Sequence, residues 1–152
     1  MKFALCNEVL QNLSIEDSFS KIKEIGYEGV EIAPFTLQEN PLEINEDDAE
    51  RCINAAKSAD IEIVGLHWLM AKTEGLHLTH PNQDMRRAAT EYLKKLTKLT
   101  AQMGGTVMVL GSPQQRNLEP GTVYEDAFAR AVTVIREVCD LARELGVTLA
   151  ME

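Results

Sequence analysis

The chain has 152 residues and a formal net charge of −9. That length supports one domain with a substantial core and is too short for two ordinary ones. No basic cluster stands out, which counts against nucleic acid as a partner, because such proteins bind largely by neutralising phosphates.

No stretch nears the roughly 20 consecutive apolar residues of a membrane helix, so no membrane partner is expected. The opening residues, Met1-Lys2-Phe3-Ala4-Leu5-Cys6, lack the apolar region and cleavage site of a secretory signal, and a cytoplasmic protein is expected. Cys6, Cys52 and Cys139 are odd in number, far apart and set in apolar patterns. They read as buried free thiols, and with no Cys-x-x-Cys pair nothing supports a structural zinc site.

Five short apolar runs recur, and each of the first four leads into a helical pattern. Phe3-Ala4-Leu5-Cys6 is the first strand. Ser14 then reads as a helix N-cap with Asp17 three residues on, and Gly26 suits the left-handed position past the helix end. Ile15, Phe19, Ile22 and Ile25 make that helix's apolar face. Gly29–Ala33 is the second strand. Its helix opens at Asn45, where Glu46, Asp47 and Asp48 favour the positive end of the dipole, and it buries Ala49, Cys52, Ile53 and Ala56. Ile61–Leu66 is the third strand, followed by a long loop through Pro81. Met85, Ala89, Tyr92, Leu96, Leu99 and Met103 mark the third helix, stopped by Gly104-Gly105. Thr106–Leu110 is the fourth strand. Phe128, Ala131, Ile135, Val138, Ala142 and Leu145 stripe the fourth helix, and Val147–Glu152 is a fifth strand.

This alternation predicts an α/β fold, a parallel sheet with helices outside it. Both a doubly wound open sheet and a β/α barrel give this order. Neither usual nucleotide-binding fingerprint is present.

In β/α barrels the active site lies at the carboxyl ends of the strands. The residues to inspect there are Asn7 and Glu8, Glu31, His67 and Trp68, Gly111 and Ser112, and Glu152. Strand alternation puts Glu152 on a face with Ala150 and Thr148, His67 with Gly65 and Ile63, and Glu31 with Gly29 and Ala33. Each has a plainer reading alone: a solvated glutamate, a hydrogen-bonded histidine, a core tryptophan. Together, carboxylates and an imidazole on one rim suit Mg²⁺ or Mn²⁺ with positions open for substrate oxygens. Such a metal polarises a carbonyl while a nearby carboxylate moves the proton on the adjacent carbon, the chemistry of isomerisation and epimerisation. Arg116 reads either as a contact to a substrate oxygen or phosphate or as a solvated loop charge.

Gly29-Val30-Glu31-Ile32-Ala33-Pro34-Phe35, Gly65-Leu66-His67-Trp68 and Gly75-Leu76-His77-Leu78-Thr79 resemble the sugar phosphate isomerase/epimerase family with a xylose isomerase-like TIM barrel. The match continues in order through Gly104-Gly105, Val109–Arg116 and Gly146–Glu152, covering essentially the whole chain. The resemblance implies a (β/α)8 barrel of roughly 250 residues or more. Residues 1–152 would be the N-terminal portion of that single domain, about four and a half βα units.

The family's D-tagatose 3-epimerase-like and hydroxypyruvate isomerase-like members hold one divalent metal with two glutamates, an aspartate and a histidine. Glu152 matches the first of those glutamates. The resemblance thus makes it both a metal ligand and an acid/base toward a small sugar, sugar phosphate or hydroxy-keto acid. Mn²⁺ or Mg²⁺ is the expected ion, with Co²⁺ or Zn²⁺ as alternatives. His67 matches a strand-three histidine facing the pocket, Glu31 and Trp68 match pocket walls, and Glu8 and Arg116 join them as substrate-side candidates.

The other three ligands would lie beyond residue 152, so the expectation is a fragment that is inactive alone. A half barrel that closes its sheet as a homo-oligomer, without turnover, is the non-catalytic alternative. Two further readings keep the barrel: a dehydratase of a polyol-derived ketone and an apurinic-site DNA endonuclease. His67 is compatible with the endonuclease, but Gly111-Ser112-Pro113 stands where that enzyme would supply another zinc-binding histidine.

Overall fold

The structure is a computed structural model that describes all of residues 1–152. Five strands, β1 (Ala4–Cys6), β2 (Gly29–Ile32), β3 (Glu62–His67), β4 (Val107–Leu110) and β5 (Thr148–Met151), alternate with four long helices. These are α1 (Ile15–Ile25), α2 (Glu46–Ala59), α3 (Gln83–Gln102) and α4 (Tyr124–Glu144). All neighbouring strands pair in parallel, in the order β1-β2-β3-β4-β5. That order decides between the two architectures. A doubly wound sheet reverses direction at a switch point, whereas here every crossover steps the same way, as in a β/α barrel.

The helix ends follow the local chemistry. Ser14 Oγ accepts the Asp17 N–H at 3.0 Å, and Gly26 closes α1 in the left-handed region. Asn45 and Asp48 form a reciprocal capping box at the start of α2, satisfying backbone donors that have no intrahelical partner. Asn82 caps α3 through the Asp84 N–H.

The core lies between the sheet and the helices. Phe19 and Ile22 of α1, Leu93 and Leu96 of α3, and Val138 of α4 are fully buried against Val30, Ile32, Leu66, Met108 and Leu110 of the strands. Burying each large side chain is worth about 1.5–3 kcal/mol. Thr90, Thr97 and Thr100 are buried on α3 as well, and their hydroxyls bond to the carbonyls of Arg86, Leu93 and Leu96. Cys52 is buried and Cys6 and Cys139 are half-buried, all as free thiols. Burial pushes the Cys6 and Cys52 thiols up to about 11 and about 12, so both stay protonated and unreactive at neutral pH.

Some apolar positions fall outside the core. Ile25, on the last turn of α1, is exposed, as are Phe128 and Leu145 of the expected α4 stripe. Phe128 stacks instead on Tyr124, with ring centroids 6.0 Å apart. Met151 is exposed too. No helix is long and apolar enough to cross a membrane.

Simple alternation also fails in β3. The β2–β3 register shifts between Val30 and Glu31: Val30 pairs with Ile63, but Glu31 pairs with Gly65. The extra residue is Val64, whose side chain stands against Gly29. Ile63 therefore joins the core beside Val30 rather than the face of His67, which is what a bulge does to a strand's two faces.

Candidate active site

Glu31, His67, Val109 and Ala150 occupy one face of the sheet: Glu31 pairs with Gly65 two residues before His67, His67 with Val109, and Val109 with Ala150. Gly111 and Glu152 continue that face by alternation just past β4 and β5, and the Glu152 N–H reaches the Leu110 carbonyl. This is the carboxyl end of the sheet, where β/α barrels place their chemistry.

Three of the expected residues meet there. His67 Nδ1 lies 3.5 Å from Oε2 of Glu31, and its Nε2 lies 3.4 Å from Oε2 of Glu152. The imidazole is 20% exposed and Glu31 27%, whereas Glu152 is 62% exposed. The histidine is thus sunk between two carboxylates, one enclosed and one presented to solvent. His67 Nδ1 is buried with no hydrogen-bond partner, and Glu31 is the acceptor nearest to supplying one. Such a partner selects the ring tautomer.

Trp68 follows directly, with its ring centroid 6.2 Å from that of His67. Its backbone sits at φ +56°, a left-handed conformation that a bulky residue rarely adopts. The conformation leaves the indole 36% exposed at the strand end rather than folded into the core.

Of the remaining candidates, Glu8 stands apart from this cluster and Arg116 touches it only through the Glu152 backbone. Glu8 lies in a one-turn helix, Asn7–Leu10, half-buried after β1. Arg116 donates from Nη2 to the Glu152 backbone carbonyl at 2.5 Å, so it pins the end of β5 to the turn after β4. Asn7 is buried and structural: it accepts the Ala33 N–H at 2.9 Å and donates to Thr36 Oγ1 at 2.8 Å.

The loops above β3 and β4 are clamped together. Ser112 Oγ accepts the Met70 N–H, the Leu78 N–H reaches the Gln115 carbonyl, and Thr79 Oγ1 donates to the Asn117 carbonyl. His77 belongs to this clamp, accepting the Thr79 N–H at Nδ1. Burial, and then the neighbouring His80, hold its pKa below the usual histidine value. Lys72, which no sequence pattern singles out, lies 4.1 Å from the Phe35 ring centroid and so joins the loops after β3 and β2. A lysine in a polar loop carries no signal of such a contact.

No three His, Cys, Asp or Glu side chains are arranged to hold a metal ion. What the rim does offer is one exposed carboxylate, Glu152, seated over the bare Cα of Gly111, where an added Cβ would lie 2.0 Å from Glu152 Oε2. That fits one ligand's share of an oxygen-rich site. A cavity of about 620 Å³ lies elsewhere, among Lys2, Glu28, Lys57, Asp60 and Glu62. Those residues surround the amino ends of the strands, the face that serves stability rather than chemistry in barrels.

Residues 19–152 match the family described as Xylose isomerase-like TIM barrel. The chain belongs to that family. Among solved structures, a D-allulose 3-epimerase from Methylomonas sp. superposes with a TM-score of 0.77 at 15% identity, covering 99% of this chain and 50% of that one. A D-psicose 3-epimerase from Clostridium cellulolyticum H10, solved with D-tagatose, gives 0.74 at 16%, covering 98% and 51%. The 3-keto-D-glucoside 4-epimerase of E. coli gives 0.75 at 16%, covering 99% and 55%. The chain therefore spans about half the length of these sugar epimerases, and at such identities the likeness establishes the fold. A search of curated proteins found no match.

Proposed function

We propose that this chain serves a divalent-metal-dependent isomerase or epimerase of a small sugar, sugar phosphate or hydroxy-keto acid. The observation that carries the reading is the contact of His67 Nε2 with Glu152 Oε2, 3.4 Å apart at the carboxyl end of the sheet. A carboxylate that is presented to solvent yet held from behind by an imidazole suits repeated proton transfer with a bound substrate.

In this reading Glu152 takes the proton from the carbon beside the substrate carbonyl, or returns it, through one carboxylate oxygen. It is also the residue of this chain that would hold Mn²⁺ or Mg²⁺, with Co²⁺ or Zn²⁺ as alternatives. The ion supplies polarisation of the substrate's carbonyl oxygen when bound. The His67 ring stands behind the Glu152 carboxylate and limits where it can turn, and Glu31 beside Nδ1 sets which ring nitrogen carries the proton. Trp68 offers an exposed indole face to the C–H face of a sugar. Glu8 is a hydroxyl acceptor on the β1 side. Arg116 spends one N–H on the Glu152 carbonyl and keeps four of its five donors for a substrate oxygen or phosphate.

The test is proton exchange. The natural protein, loaded with Mn²⁺ and incubated with D-fructose or D-psicose in D₂O, should place deuterium on the carbon beside the carbonyl, read by NMR. A dehydratase on the same site would release a dehydrated product instead. No exchange with any ketose or hydroxy-keto acid of a small panel, with each of the four metals, would remove the isomerase reading.

A further inference from the structure

We infer that Gly111 is a positioning residue: its missing side chain is the gap through which Glu152 crosses β4 to reach His67. The inference rests on the role proposed for Glu152 and adds what aims that carboxylate.

The chain has nine glycines, and they divide by what a Cβ would meet. Gly26, Gly75, Gly104, Gly121 and Gly146 have positive φ and open space around them, so backbone conformation accounts for them. Gly29, Gly65 and Gly105 lie against neighbouring strands, where a Cβ would meet Val64, the Val107 backbone or Gly65. Those three serve the sheet. Gly111 belongs to neither group, because its φ is not positive and what crowds it is the Glu152 side chain. A Cβ there would lie 2.0 Å from Glu152 Oε2 and 3.2 Å from Cδ.

Geometry explains why the space matters. His67 is on β3 and Glu152 follows β5, with β4 between them. The same Oε2 that occupies the Gly111 gap is the atom 3.4 Å from His67 Nε2. A methyl at position 111 meets the far end of a flexible, largely exposed side chain rather than backbone. Glu152 therefore swings away from His67 at little cost to the fold. The carboxylate keeps its chemistry and loses its aim.

The experiment is a titration of the natural protein with Mn²⁺ alone, followed by electron paramagnetic resonance, for the wild type, Gly111→Ala and the double variant Gly111→Ala/Glu152→Asp. Moving a residue that orients a metal-binding group weakens binding roughly 10- to 100-fold. That loss is expected for Gly111→Ala, with recovery in the double variant, because the shorter aspartate clears the new methyl. A wild type that binds and a Gly111→Ala variant that binds equally well overturn this inference and leave the isomerase reading standing. A wild type that does not bind Mn²⁺ overturns the reading itself. Should Gly111→Ala unfold, Gly111→Ala/Glu152→Ala decides the matter. Restored stability assigns the space to Glu152, and unrestored stability contradicts the assignment.

Discussion

His67 Nε2 lies 3.4 Å from Glu152 Oε2, although β4 runs between the strands that carry them. Two residues separated by 85 positions meet only because a parallel sheet brings every strand's carboxyl end to one rim. Behind them, Glu31 approaches the other ring nitrogen at 3.5 Å. Carboxylate, imidazole and carboxylate thus line up from the enclosed side of the sheet to solvent.

The role of Glu31 in that line can be separated from its role in folding. Its carboxylate can only accept from His67 Nδ1, whereas a glutamine amide can also donate to it, which moves the ring proton to Nε2, where it bonds the Glu152 carboxylate and lowers its basicity. Glu31→Gln should lower kcat roughly 10- to 100-fold with KM little changed. The His67 ring ¹⁵N shifts should report the altered tautomer. Unchanged shifts and unchanged kcat would show that Glu31 is only a wall.

Gly65 offers the opposite case to Gly111. A Cβ there would lie 1.7 Å from the Val107 carbonyl oxygen, and β3 and β4 are hydrogen-bonded at that position, so neither strand can give way cheaply. Gly65→Ala should cost about 3 kcal/mol or more in urea unfolding. A cost under about 1 kcal/mol, an ordinary substitution's effect, would mean that the sheet is looser than described.

Much of this fold is legible in the sequence, for local reasons. Ser14 with Asp17, Asn45 with its acidic first turn, and Gly26 announce helix ends through short-range chemistry that tertiary structure has no reason to override. The strand-end positions of Glu31, His67 and Glu152 were readable as well. Their mutual contact was not, because it depends on register, and register depends on where a bulge falls. Val64 shows this: strict alternation puts Ile63 with His67, and one extra residue moves it to the core side. The exposure of Phe128 and Leu145 was equally hidden, since helical spacing says which residues share a face and not whether another element covers it. The left-handed backbone of Trp68 had no signal, because its residue type argues against that conformation.

The ion pair of Glu16 with Arg51 makes an acid-stability prediction. Arg51 donates to both Glu16 oxygens at 2.8 and 2.9 Å, joining α2 to α1. These hydrogen bonds hold the Glu16 carboxyl down to about 2, against an ordinary value of 4.5. A folded pKa below the unfolded one means that the unfolded chain binds the proton more readily. The pair therefore stabilises the fold fully above pH 4.5 and is lost as pH falls toward 2. Both side chains are about half exposed, which limits the contribution to below about 1 kcal/mol. Arg51→Ala should lower stability by that amount at neutral pH and flatten the stability curve between pH 4.5 and 2. Parallel curves for the two proteins across that interval would contradict the assignment.

Glu152 is the group proposed to move the proton. The measurement is deuterium exchange into a ketose by the natural protein with Mn²⁺ in D₂O, run beside Glu152→Gln at matched circular dichroism. The predicted result is exchange in the wild type and a loss of at least roughly 100-fold in the variant, the lower end of what a positioned acid/base contributes. Equal exchange rates in the two proteins would contradict it and take Glu152 out of the mechanism.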